Sequence, residues 1–208
     1  MAQTATTTAR SEPVIYRSLA LTALLQQLEP GRKYSILDLG KASGDNINFW
    51  AQIPARICLP DFYPSLLAEV GAITVDPESE EEPSYDALFE GLLCSDSDRL
   101  FDIVLGWDVF NYLESAKLES FVRVLRKVCH PGTFVFVLVS TLHQIPVEPT
   151  NFKILDRERL LYENHSPATK PCPRYQPRDI KLMMTGFEVL VSFLLRHGMQ
   201  EYVFVCQR

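Results

Sequence analysis

The chain has 208 residues, 47% hydrophobic and 22% charged. That is ordinary globular composition; it excludes collagen-like and wholly disordered chains, and the length suits one domain plus extensions. The formal net charge of −6 resides in one segment: residues 76–86 hold six acidic side chains and no Lys or Arg, and the rest of the chain is neutral. No basic field exists for a phosphate backbone, which argues against nucleic acid as a partner. The acidic segment reads as a solvated loop, or as a docking patch for a basic partner. No run of about 18 apolar residues marks a membrane span. Residues 1–12 are polar, lack an apolar signal-peptide core, and are expected to be a disordered tail. The five cysteines are scattered and form no C-x-x-C pair. They read as reduced thiols of a cytoplasmic protein, with neither a metal site nor a disulfide framework.

In chain order, Val14, Leu21, Leu24, Leu25 and Leu28 share a helical face, and Pro30-Gly31 stops that helix. Tyr34–Leu39 is predicted to be a strand leading into the small-residue turn Gly40–Gly44. Asp45 or Asn46 is the expected cap of the next helix. Arg56–Leu59 is a second strand, closed by Pro60-Asp61, and Pro64 suits the first turn of the helix after it. Ala72–Val75 is a third strand, and Asp102–Gly106 a fourth. A helix bearing Leu118, Phe121, Val122 and Leu125 follows and is expected to end at His130-Pro131-Gly132. Thr133–Val139 is a continuous apolar run, as a strand buried on both faces should be. Residues 141–178 hold six of the 14 prolines and read as an irregular insertion. A short helix over 178–185 and two strands, 187–195 and 201–206, complete the chain.

Alternating strands and helices predict an α/β fold: a doubly wound, Rossmann-like sheet of seven strands, mostly parallel, with a C-terminal antiparallel hairpin. Residues 13–208 form one domain. A ligand in such a sheet lies beyond the carboxyl ends of the strands.

The chemistry concentrates in Leu37-Asp38-Leu39-Gly40-Lys41-Ala42-Ser43-Gly44. Small residues at 40, 42 and 44 let a ligand approach the backbone, and Asp61, after the second strand, offers a carboxylate to a ribose diol. The missing third glycine at the G-x-G-x-x-G position disfavours a dinucleotide oxidoreductase.

Over residues 34–207 the sequence resembles the class I S-adenosylmethionine-dependent methyltransferases, and within them bacterial methyltransferase-like proteins of no assigned substrate. The segment Asp38–Gly44 is similar to their first motif, Asp61 to the acidic residue after the second strand, and Phe101–Asp108 to the fourth-strand motif. Leu125–Thr133, with Pro131-Gly132, is similar to the fifth-strand entry, and Gly186-Phe187-Glu188-Val189 to the entry of the hairpin. The resemblance implies S-adenosylmethionine as cofactor. Gly40, Ala42 and Gly44 would line its methionine and ribose, with Asp38 ordering the loop or meeting the ammonium through water. Asp61 would hold the ribose hydroxyls, Asp86 and Ala87 would border the adenine, and Trp107 and Asp108 would sit by the sulfonium. The sequence departs from the family in Ala42, which replaces the middle glycine, and in Lys41, a cation beside a cationic ligand. No Asn/Asp-Pro-Pro-Tyr run follows the fourth strand, which argues against methylation of DNA bases.

Asp108, Tyr112, His143 and Tyr175 are the candidates for a base or an orienting group. The 141–178 insertion is expected to cover the pocket as a substrate lid. The expected activity is methyl transfer to a small molecule or a protein side chain; the alternative is a catalytically inactive protein that binds a partner or senses the cofactor.

Overall fold

The computed structural model describes residues 13–70, 85–93, 100–164 and 166–208. The expected third strand at Ala72–Val75, the acidic run 76–84 and the tail 1–12 lie outside these residues. The central sheet has six strands among the described residues. These are β2 (Tyr34–Asp38), β3 (Ala55–Cys58), β4 (Phe101–Trp107), β5 (Cys129–Ser140), β10 (Phe187–Leu194) and β11 (Met199–Cys206), in the order β10-β11-β5-β4-β2-β3. The pairs β3–β2, β2–β4 and β4–β5 are parallel. Strands β11 and β10 add to β5 in antiparallel fashion.

Both faces of the sheet are covered. On one lie α1 (Leu19–Gln26) and α2 (Gly44–Trp50), where Leu21, Leu24 and Trp50 pack on Ile36, Leu105 and Phe136. On the other lie α3 (Phe62–Val70), α4 (Asp86–Leu92), α5 (Ser115–Lys127) and α6 (Pro177–Met183), with Phe62, Phe89, Phe110 and Phe121 in mutual ring contact. Burial on two faces explains why Val135, Val137 and Val139 alternate between the clusters with Phe136 and Leu138 in an unbroken apolar run.

Five local expectations are corrected. Val14 does not begin the first helix: β1 (Val14–Arg17) pairs with β8 (Arg159–Glu163), and α1 starts where the Ser18 hydroxyl accepts the Leu21 N–H. A run of β-branched and aromatic residues favours strand wherever a partner edge is present, and β8 is that partner. Helix α2 is capped by Ser43, which accepts the Asp45 N–H at 3.2 Å, while Asp45 occupies the first turn, where a negative charge suits the helix dipole. The insertion is not irregular. Strands β7 (Asn151–Ile154) and β8 form the three-stranded sheet β1-β8-β7, and β6 (Gln144–Pro146) pairs with β9 (Thr169–Pro171). Helix α5 ends at Lys127, and His130-Pro131-Gly132 already belongs to β5. Not every thiol is free, as the scattered spacing had implied: Cys58 is disulfide-bonded, whereas Cys129, Cys172 and Cys206 are free. Among the described residues no helix is long and apolar enough to cross a membrane.

Asn46 fastens the small sheet to the core. Its side-chain amide donates to the Phe152 carbonyl at 3.1 Å and accepts the Ile154 N–H at 2.7 Å, with Asn46 fully buried. Asn46→Ala would leave two buried backbone groups unpaired, so we predict a loss of about 2–4 kcal/mol in denaturant unfolding; a loss within about 0.5 kcal/mol would contradict this role.

Two of the buried carboxylates, Asp38 and Asp108, contribute to the pH response of the fold. Burial pushes Asp38 up to about 6, against hydrogen bonds from Trp107 and Gly40 that favour its charged form. Burial likewise pushes Asp108 up to about 6, against hydrogen bonds from Tyr63 and Thr150. A folded-state value above the unfolded one means that the folded chain binds the proton more tightly. Each group therefore adds stability as pH falls through about 6, with the gain complete below about 4. We predict that Asp108→Asn flattens the pH dependence of unfolding free energy between these limits by about 1–3 kcal/mol relative to the parent chain. An unchanged slope in the folded variant would contradict the assignment.

Candidate functional site

The strand order reverses at β2, which has β3 on one side and β4 on the other. Loops leaving the carboxyl ends of β2 and β3 therefore diverge and open a crevice between them. A cleft of about 670 Å³ lies there, within the range that holds drug-sized ligands. It is lined by Gly40, Lys41 and Ala42 after β2, by residues 59–64 after β3, and by residues 148–150 of the insertion. Asp61 is exposed in this cleft, and Lys41 and Glu148 are the other charged residues of its wall.

The first-motif aspartate does not face the cleft. Asp38 is 1% exposed, and its Oδ1 accepts the Trp107 indole N–H at 2.5 Å and the Gly40 N–H at 2.9 Å. Trp107 is equally buried, has φ +44°, and stacks on Phe152 with the ring planes 4° apart. A Cβ at residue 40 would lie 2.6 Å from the Trp107 ring, so Gly40 is required by this chain's own tryptophan. Gly44 opens α2 and is not part of the cleft wall, so the three small residues expected to act together divide: 40 and 42 line the cleft, 44 does not.

A second cavity, of about 210 Å³, lies beyond the carboxyl ends of β4 and β5. Asp108, Asn111, Tyr112 and Ser140 line it together with Tyr16, Thr150, Tyr162 and His197, and it opens to solvent beside the exposed Val14 and Leu142. Asp108 follows β4 directly and is 3% exposed; its Oδ1 accepts the Tyr63 hydroxyl at 2.7 Å and its Oδ2 the Thr150 N–H at 3.2 Å. Tyr63 and Thr150 also line the cleft, so the Tyr63–Asp108–Thr150 bridge is the partition between cleft and cavity. Asn111 braces this wall from below, donating to the Leu138 carbonyl and accepting the Ser140 N–H. The Tyr112 hydroxyl donates to the carbonyls of Pro146 and Glu148, holding the insertion over both spaces.

Of the sequence candidates, then, Gly40, Ala42 and Asp61 meet in the cleft, and Asp108 and Tyr112 meet in the inner cavity. Asp38 and Trp107 lie together in the core beneath the loop. The remaining five lie elsewhere, Gly44 at the start of α2. Asp86, at the start of α4, pairs with Arg123 at 2.8 Å, and its neighbour Ala87 is exposed; neither lines the cleft. His143 is exposed with its Nδ1 3.3 Å from Arg174, and the Tyr175 hydroxyl donates to the Leu113 carbonyl; neither lines a cavity described above. Sequence reasoning missed Tyr63, Thr150, Tyr16 and Tyr162. Tyr63 had the signal of standing two residues after Asp61; the other three reach the site only through pairing of distant segments. No group of three His, Cys, Asp or Glu among the described residues is arranged to hold a metal ion.

No family model and no curated protein matches this sequence. Among solved structures the chain is similar to the PH0226 protein from Pyrococcus horikoshii OT3, with 14% identity over 90% of this chain and 88% of that one and a TM-score of 0.54. It is also similar to the glycopeptide N-methyltransferase MtfA complexed with (S)-adenosyl-L-methionine, with 14% identity over 89% and 92% of the two chains and a TM-score of 0.51. Identity at this level speaks to architecture alone. With the strand order and the crevice at its reversal, it gives the chain the class I S-adenosylmethionine-dependent methyltransferase fold.

Proposed function

We propose that the chain binds S-adenosylmethionine in the 670 Å³ cleft and transfers its methyl group to an acceptor. The observation that carries this reading is the position of the cleft: it lies at the reversal of strand order and joins the Gly40–Ala42 backbone to the Asp61 carboxylate. The likeness to MtfA, solved with this cofactor, supports it at the level of fold.

The residues present suit the group. Asp61 would accept the ribose hydroxyls. The backbone of Gly40, Lys41 and Ala42 would run beside the methionine, shaped from below by Asp38 and Trp107. Because Asp38 is spent on the indole and on the Gly40 N–H, its part is to hold the loop. The departure at residue 42 leaves an exposed methyl group on the cleft wall. The cofactor brings an electrophilic methyl; transfer then needs alignment and exclusion of water more than covalent help from the protein. The insertion supplies the cover through Glu148–Thr150 and the Tyr112 hydrogen bonds. Asp108 and Tyr112 are the groups that would orient an acceptor and hold its proton, whereas His143 and Tyr175 stand outside both spaces.

A second reading, cofactor binding without transfer, is favoured by one observation: the Tyr63–Asp108–Thr150 bridge separates the cleft from the inner cavity. Transfer requires that bridge to open.

Calorimetry with S-adenosylmethionine and with its demethylated product, S-adenosylhomocysteine, tests the proposal. Both are expected to bind, and Asp61→Ala to weaken binding by about 1.5–3 kcal/mol through loss of a charged hydrogen-bond acceptor. No binding by the folded chain at millimolar ligand, or full affinity in Asp61→Ala, would overturn the assignment.

A further inference from the structure

We propose that the inner cavity is a recognition site for a small organic cation, an amine or ammonium compound held against Asp108. Among the described residues Asp108 is the only Asp, Glu, Lys or Arg on the cavity wall, and the remaining wall is largely apolar and aromatic. Burial pushes the pKa of Asp108 up to about 6, against hydrogen bonds that favour the charged form. Burial pushes His197, the other group with a charge to gain there, below its ordinary value, which disfavours a cation at that position. A buried carboxylate without a cation on its own wall is costly, and a ligand of opposite charge offsets that cost.

The carboxylate is fixed in place: Oδ1 accepts the Tyr63 hydroxyl, Oδ2 the Thr150 N–H, and the Thr150 side chain and its own backbone N–H also favour its charged form. The Tyr16 hydroxyl, on the same cavity wall, is buried with no hydrogen-bond partner. It is near enough to Asp108 and Glu201 for both charges to raise its pKa further, beyond the effect of burial. Glu201, on β11, adds a second buried carboxylate behind Tyr16, with Oε2 accepting the Ala20 N–H and Oε1 unpartnered. The field in the cavity is thus negative, and an N–H group there meets Asp108 on one side and an orphan phenol oxygen on another. Tyr16, Tyr112 and Tyr162 present aromatic rings, whose faces favour cations. Lys170 already uses one of these rings: its ammonium stands 4.4 Å from the Tyr112 ring centroid and feels the Asp108 charge, although Lys170 is not on the cavity wall.

Size limits the ligand. A volume of 210 Å³ equals about seven waters at ~30 Å³ each, which suits a compound of roughly six to ten non-hydrogen atoms. The cation site stands without the cofactor reading; taken with it, and resting on it, the amine is the methyl acceptor. In that case the Tyr63–Asp108–Thr150 bridge opens toward the cleft, and Asp108 takes one proton from the ammonium. The freed nitrogen lone pair forms the new N–C bond, and the electrons of the breaking C–S bond stay on sulfur, turning the sulfonium into a thioether.

Three probes of one shape and different charge test the proposal on the intact chain. They are N,N-dimethylethanolamine (a cation at pH 7), 3-methylbutan-1-ol (neutral) and 3-methylbutanoate (an anion), titrated by calorimetry or ligand-observed NMR. The cation is expected to bind at least about tenfold tighter than the alcohol, and the anion weakest. Asp108→Asn, which keeps shape and removes charge, is expected to erase the preference for the cation, with its thermal transition recorded to establish folding. Equal affinity for cation and alcohol, tighter binding of the anion, or no binding of any probe at millimolar concentration would overturn the cation site. So would a preference that survives in the folded variant. S-adenosylhomocysteine binding measured in the same preparation separates the two proposals: its presence without a cation preference removes only the cavity assignment, and the reverse result removes only the cofactor assignment.

Discussion

The Asp38 carboxylate is the tie on which the rest of the site depends. It sits at the end of β2, buried, and accepts one N–H from the turn that follows β2 and one from Trp107 at the end of β4. Two parallel neighbours are thereby locked at their carboxyl ends, where the sheet's own ladder runs out. Trp107 adopts a left-handed backbone to reach Asp38, and the next residue, Asp108, is turned into the inner cavity. Gly40 must lack a side chain to make room for the indole. The shape of the cleft floor and the aim of Asp108 thus follow from one buried hydrogen-bonded carboxylate. The cost is a charge held in the core, visible in the rise of Asp38 to about 6.

The insertion contributes in a different way. Its strand β8 takes β1 as a partner, which sets Tyr16 opposite Leu160 and puts it on the same cavity wall as Tyr162. Its strand β7 is fastened to α2 through Asn46, and its Phe152 covers Trp107. Thr150, just before β7, then reaches both the cleft and the inner cavity. A segment fixed at these points acts as a built wall, and the Tyr63–Asp108–Thr150 bridge is its seam.

Much of the fold was legible in the sequence because its signals are local. The unbroken apolar run of β5, the i, i+3, i+4, i+7 spacing of α5, and the small-residue turn after β2 each reflect one element's own environment. Asp108 and Tyr112 could be assigned to a cavity because they follow a strand end. What failed depended on partners far away in sequence. Val14–Arg17 joins the helical pattern of α1 by spacing, yet β8 claims it as a strand. The proline-rich 141–178 segment reads as loop, yet its short strands pair with each other and with β1. The bond of the Trp107 indole to Asp38 is likewise unannounced by its neighbourhood, because its partners stand 69 residues apart. Tyr16 and Tyr162 carry no signal of their own, since their meeting is a product of tertiary pairing.

The central claim is that this fold, with its first glycine filled by the chain's own tryptophan, still holds the cofactor at the reversal of strand order. A structure of the chain with S-adenosylhomocysteine tests it most directly. The account predicts the ribose against Asp61, the amino-acid end along Gly40–Ala42 and near Thr150, and Trp107 still bonded to Asp38. A ligand bound elsewhere on the chain, or seated only after the indole has left Asp38, would contradict it.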